Sequence, residues 1–96
     1  MSPQVPATPF LAIDLPVLDA NIERVAQWAH ERQLALRPHV KTHKSPEIAL
    51  RQIAHGAIGQ CCQKVGEAEV LVAGGVGDVL VTNEIVGAAK LDRLAR

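Results

Sequence analysis

Apolar side chains fall along this chain in two rhythms, and the places where one gives way to the other predict its elements. Leu18, Ile22, Val25 and Ala29 recur at helical spacing, while Asn21, Glu23, Arg24 and Gln27 fill the opposite side. They predict an amphipathic helix from an Asp14 N-cap to about Arg32, with Pro16 tolerated in the first turn. Ahead of it, Phe10-Leu11-Ala12-Ile13 predicts a short strand and residues 1–9 a loose, proline-rich lead-in. Residues 34–41 change to period two. Leu36, Pro38 and Val40 point one way and Arg37, His39 and Lys41 the other, which predicts a strand with one apolar and one basic face.

Ser45-Pro46-Glu47 predicts a helix opening, with a cap, a proline at the first position and an acid at the positive end of the dipole. Ile48, Ala49, Gln52 and Ile53 continue that helix, and Gly56 closes it after His55. Residues 57–63 predict a strand of small residues, 66–73 a helix stopped by Gly74-Gly75, and 78–83 a strand with an almost continuous apolar run, the mark of burial on both faces. Residues 86–96 predict a last helix with Leu91 and Leu94 inward. The order is thus a helix followed by three strand–helix units, which implies right-handed crossovers and a parallel sheet. Three such strands cannot close a barrel. A (β/α)8 barrel needs about 250 residues, and the last pattern breaks off inside a helix at Arg96, so the expectation is the opening part of a larger fold.

Composition narrows the function classes. The 96 residues are 48% apolar and 21% charged with a formal net charge of zero, an ordinary globular balance that offers no global attraction to nucleic acid or an anionic membrane. No apolar run approaches the roughly 18 residues of a membrane span. The start lacks the basic-then-apolar order of a signal peptide, and the expected location is cytoplasmic. Cys61 and Cys62 are adjacent, poor geometry for an ordinary structural disulfide, and read as small reduced core residues.

Lys41 is the residue that demands an explanation. An ammonium flanked by two basic groups is costly to bury without a partner, yet the carboxyl end of a barrel strand is where reactive groups collect. Gln63 and Asn83 end the second and third strands in the same way, as ligand contacts or as polar caps on the following loops. His39 and His43 have an H-x3-H spacing that would suit a metal on a helix, but Pro38 and the alternation argue against a helix there, so they read as non-ligands. Glu67 and Glu69 near a helix start complement its dipole, and His30 and His55 read as solvated. Gly74-Gly75-Val76-Gly77 follows a helix and precedes a strand, the reverse of a dinucleotide fingerprint, and reads as a turn. A basic patch for nucleic acid would lack aromatic interleaving, since Phe10 and Trp28 are the only aromatics.

Four stretches occur here in order: Thr8-Pro9-Phe10-Leu11-Ala12-Ile13-Asp14, Leu36-Arg37-Pro38-His39-Val40-Lys41-Thr42-His43-Lys44-Ser45, Cys61-Cys62-Gln63-Lys64-Val65-Gly66-Glu67-Ala68-Glu69 and Asp78-Val79-Leu80-Val81-Thr82-Asn83-Glu84. Together they resemble the amino-terminal part of the D-threonine aldolase and eukaryotic-type D-serine dehydratase family, pyridoxal-phosphate enzymes with an alanine-racemase-like barrel. The resemblance implies an α/β fold, the first three βα units of an incomplete (β/α)8 TIM-type barrel. Residues 1–13 would be a lead-in and short strand, and 14–96 the amino-terminal portion of the pyridoxal-phosphate-binding barrel.

The family's Schiff-base lysine falls on Lys41 and not on Lys44, with Arg37, His39, Gln63 and Asn83 as expected cofactor neighbours. The implied reaction is a lyase step on small D-3-hydroxy amino acids, a retro-aldol cleavage to glycine and an aldehyde. The alternatives are D-serine dehydration and a non-catalytic pyridoxal-phosphate homeostasis protein of the same fold. The family's divalent metal, of the manganese or zinc type, is held by residues near its carboxyl terminus, so no metal ligand carries over to this chain. A homodimer is implied for the full-length protein, and little or no turnover is expected of these 96 residues alone.

Overall fold

The computed structural model describes residues 4–96; Met1 to Pro3, the start of the expected lead-in, lie outside the described residues. Helix α1 (Leu15–Glu31) opens where Asp14 Oδ1 accepts the Val17 N–H at 3.1 Å, and Pro16 sits in its first turn. Helix α2 (Pro46–Ala54) opens on Ser45, whose hydroxyl accepts the Ile48 N–H at 3.3 Å. It ends at His55 and Gly56, the latter at φ +107°, a conformation glycine adopts without Cβ strain. Strand β1 (Gln60–Cys62), helix α3 (Val65–Ala73), strand β2 (Val79–Val81) and helix α4 (Ala88–Ala95) follow.

β1 and β2 are parallel, with Gln60 opposite Val79, Cys61 opposite Leu80 and Cys62 opposite Val81. Residues 36–40 run along the other edge of β1 as an extended segment held by one bridge, His39 to Cys61. Leu36 O accepts from Ile58 N, Pro38 O accepts from Cys61 N at 2.7 Å, and Val40 N donates to Cys61 O at 2.9 Å. The expected strand over 34–41 is therefore realised as a single bridge. Pro38 has no N–H to donate, which limits the ladder on that side.

The core lies on one side only. Val40, Ala49, Cys62, Ala68, Leu71 and Val76 form it, with Ile53, Val79 and Val81 packed against them. The opposite face of the strands is open: Leu80, in the middle of β2, is 51% exposed. The resulting slab measures 49 × 42 × 19 Å with a radius of gyration of 15.8 Å, against about 12–13 Å for a rounded domain of this length. The core holds one side of the strands, and their other side is available as a surface.

Some expectations are corrected. Phe10 to Ile13 form no strand, because no described segment pairs with them; Leu11 is 99% exposed. Leu91 and Leu94 are not buried, since α4 packs against α3 and no further layer covers it among the described residues. α3 starts at Val65, one residue before the expected Gly66. Both cysteines are free; Cys62 is fully buried and burial pushes its thiol pKa up, whereas Cys61 is half-buried on the open face.

Candidate active site at the carboxyl ends of the strands

Alternation along 36–41 decides which groups reach the open face. Val40 enters the core with no exposed surface, so Arg37 and His39 emerge opposite it. By register they stand beside Cys61 of β1 and Leu80 of β2. Lys41 follows at the first position of a turn and is exposed.

Arg37 occupies the amino-terminal end of this face. Its Nη1 donates to Asp78 Oδ1 at 2.7 Å and to the carbonyl oxygens of Gln60 and Asp78. That hydrogen bond, and then the Arg37 charge, hold the Asp78 carboxyl below its ordinary range. The guanidinium lies across Gly59, where a Cβ would come within 2.6 Å of Nη1 and 2.5 Å of the Asp78 carbonyl oxygen. Gly59 is glycine because its neighbours fill that space. Arg37 and Lys41 are four residues apart along extended chain, about 13 Å, and the Arg37 charge is balanced by Asp78 rather than directed at the amine.

The His-Val-Lys-Thr-His run has a backbone logic of its own. His39 Nδ1 accepts the Lys41 N–H at 3.1 Å, and His43 Nδ1 accepts the Ser45 N–H at 2.9 Å. Each imidazole braces the backbone two residues ahead, and this is how the H-x3-H spacing is used here. Between them Lys44 N closes the turn on Val40 O at 2.8 Å, and Lys44 takes the left-handed conformation, φ +52°. Burial pushes the His43 pKa down. Gln52 lies close enough to favour the protonated ring, yet His43 Nε2 and Gln52 Oε1 do not meet hydrogen-bond geometry.

The two lysines of the run differ sharply. Lys44 Nζ pairs with Glu67 Oε2 at 3.5 Å, whereas Lys41 takes part in none of the ion pairs among the described residues. Glu67 also accepts the N–H groups of Gln63, at 2.9 Å, and Lys64, at 3.0 Å, through Oε1. The Gln63 bond first, then the Lys64 bond and Lys44, hold its carboxyl below the usual range against the opposing effect of burial. This acid closes the start of α3 more specifically than the dipole role expected from sequence. Glu69 instead pairs with Arg93 and ties α3 to α4.

Gln63 and Asn83 share a cavity of about 470 Å³ beyond the strand ends, lined also by Lys44, Lys64, Glu84 and Arg93. Asn83 Oδ1 accepts the Glu84 N–H at 3.0 Å, which leaves its amide N–H groups free. Lys41, His39 and Arg37 are not among the lining residues: Arg37 and His39 stand on the open face, and Lys41 lies exposed in the turn that follows. Thr82 was missed by the sequence reading. Its Oγ1 lies 3.0 Å from His39 Nε2 and donates to Cys62 O at 3.2 Å. Its signal was parity, since it follows Leu80 by two on the same face.

Parallel strands with helices on one side, an arginine and a histidine on the other, and polar groups at the carboxyl ends define an α/β unit of the kind that carries sites at strand ends. No family model matches the chain. It is 53% identical over 89 residues to D-threonine aldolase from an Arthrobacter species, and 47% identical over 90 residues to 3-hydroxy-D-aspartate aldolase from Paracoccus denitrificans. Each match covers 93% of this chain, which spans about a quarter of the relatives' length: 24% of the first and 23% of the second. The crystal structure of D-threonine aldolase from Filomicrobium marinum superposes with a TM-score of 0.90 at 52% identity, over 93% of this chain and 24% of that one. The chain belongs to the family of D-threonine aldolase and 3-hydroxy-D-aspartate aldolase.

Proposed function

We propose that this chain is the part of a pyridoxal-phosphate-dependent lyase of D-3-hydroxy amino acids that carries the cofactor's lysine, and that this lysine is Lys41. The observation behind the reading is the contrast within one motif: Lys44 is committed to Glu67, while Lys41 presents an exposed amine with no acid partner among the described residues. An aldehyde condenses with an unprotonated primary amine, and a carboxylate partner favours the protonated form. The polar groups beyond the strand ends suit a polar cofactor further, with the Gln63 and Asn83 amides beside Lys64, Lys90 and Arg93 and the carboxylates of Glu67 and Glu84 in one cavity. When bound, pyridoxal phosphate supplies an electron sink for bond breaking at a substrate's α-carbon.

The chain's own residues then have distinct tasks. Lys41 would hold the cofactor's aldehyde, and His39 fixes the backbone at Lys41. Arg37, paired with Asp78, ties the residue 36–40 segment to β1 and β2 from the far end. Gln63 and Asn83 offer amide groups to whatever fills the cavity. On this reading residues 14–96 are the first three βα units of an alanine-racemase-like (β/α)8 barrel and residues 1–13 its lead-in. The full-length protein is a cytoplasmic homodimer that cleaves D-3-hydroxy amino acids such as D-threonine to glycine and an aldehyde with a divalent metal. No described helix is long and apolar enough to cross a membrane.

Absorbance titration with pyridoxal phosphate tests the proposal. The wild-type chain and Lys44→Ala should develop a near-visible band that Lys41→Ala lacks. A band of equal amplitude in Lys41→Ala would refute it.

A further inference from the structure

Resting on the reading of Lys41 as the cofactor's lysine, we infer that Thr82, at the end of β2, is a positioning residue for Lys41 and acts through the tautomer of His39. The donors fix the direction of every proton. The Lys41 backbone N–H can only donate, so His39 Nδ1, 3.1 Å away, is unprotonated. The ring's proton is then on Nε2, 3.0 Å from Thr82 Oγ1. The Thr82 hydroxyl donates in turn to Cys62 O at 3.2 Å, which leaves an oxygen lone pair to receive the Nε2 proton. Thr82 is itself fixed by its backbone N–H on Cys62 O at 2.9 Å. The chain therefore runs from the Cys62 carbonyl through Thr82 and His39 to the backbone nitrogen of Lys41. It joins β1 and β2 to the turn that bears the amine.

A doubly protonated ring would set an Nδ1 proton against the Lys41 N–H, and the other neutral tautomer would do the same. Only the neutral Nε2–H form satisfies both contacts. Within this frame a hydroxyl at position 82 has a directional role that an isosteric methyl cannot fill.

Three measurements on the 96-residue chain decide the matter. Nitrogen-15 NMR should find His39 neutral, with the proton on Nε2. Amide exchange at Lys41 should quicken about fivefold in Thr82→Val and about tenfold in His39→Ala, and Thr82→Ser should restore the wild-type rate. The rate at which Lys41 captures pyridoxal phosphate, read as a borohydride-stable mass adduct, should fall severalfold in Thr82→Val and recover in Thr82→Ser. A proton on Nδ1, unchanged Lys41 exchange in Thr82→Val, or unchanged capture despite faster exchange would overturn the inference. The NMR and exchange arms contain no cofactor, so they judge the brace independently of whether Lys41 captures an aldehyde at all.

Discussion

Replacing Glu67 should destabilise the chain in a way that depends on pH and on which group replaces it. Its Oε1 accepts the N–H groups of Gln63 and Lys64, and its side chain is only 11% accessible. Glu67→Ala removes both bonds at the start of α3. Loss of a helix-start acceptor costs about 0.5–2 kcal/mol, and hydrogen bonds to a charged group reach about 1.5–3 kcal/mol each. Gln63 and Lys64 are exposed, so water replaces part of what is lost, and about 1–2 kcal/mol is expected at neutral pH. For a domain of this size that is a fall in Tm of roughly 4–16 °C. Glu67→Gln keeps an oxygen acceptor and loses the charge at the positive helix end together with its ion pair to exposed Lys44, about 0.5–1 kcal/mol in all.

The pH dependence follows from the direction of the shift. The folded carboxyl titrates below its unfolded value, so its charge-dependent contribution is complete above about pH 4.3 and is lost as pH falls through the folded value. Urea unfolding monitored by circular dichroism at neutral and acid pH measures both effects. Wild type and Glu67→Gln should converge in acid while Glu67→Ala stays less stable. Equal stability of all three at neutral pH, or a wild-type-to-Gln gap that persists undiminished in acid, would refute the reasoning.

Leu71, 1% exposed at the centre of the one-sided core, should cost about 2–5 kcal/mol as Leu71→Ala, a large part of a domain's usual stability; an unchanged urea midpoint would count against the core assignment. Cys61 should react with a maleimide well before Cys62, whose thiol is buried and raised in pKa, and the order is read by peptide mass mapping. Gly59→Ala should lower Tm although its backbone is not left-handed, because the new Cβ meets the Asp78 carbonyl and Arg37; an unaltered Tm would show that this crowding relaxes without cost.

Much of the fold is legible because its signals are local. Asp14 and Ser45 cap helices through their own side chains, and Gly56 and Gly75 stop them by backbone freedom. Period-two alternation placed Val40 in the core and put Arg37 and His39 on the opposite face. What stayed hidden depends on partners distant in sequence. Phe10 to Ile13 have strand-like composition, but a strand needs a neighbour. Leu91 and Leu94 have helical spacing, but burial needs a second layer. The partner of Arg37 is Asp78, 41 residues on, and that of His39 is Thr82, 43 residues on. Those pairings exist only once the parallel register is set, and they turn a run of basic residues into separate parts: a strut at Arg37, a brace at His39 and an uncommitted amine at Lys41.

The central claim rests on which nitrogen takes up the aldehyde. The chain should be incubated with pyridoxal phosphate, reduced with borohydride, digested and mapped by mass spectrometry. The account predicts a pyridoxyl adduct concentrated on Lys41, with Lys44 and Lys64 labelled weakly. An adduct concentrated on Lys44, or spread evenly over the exposed lysines, would contradict it.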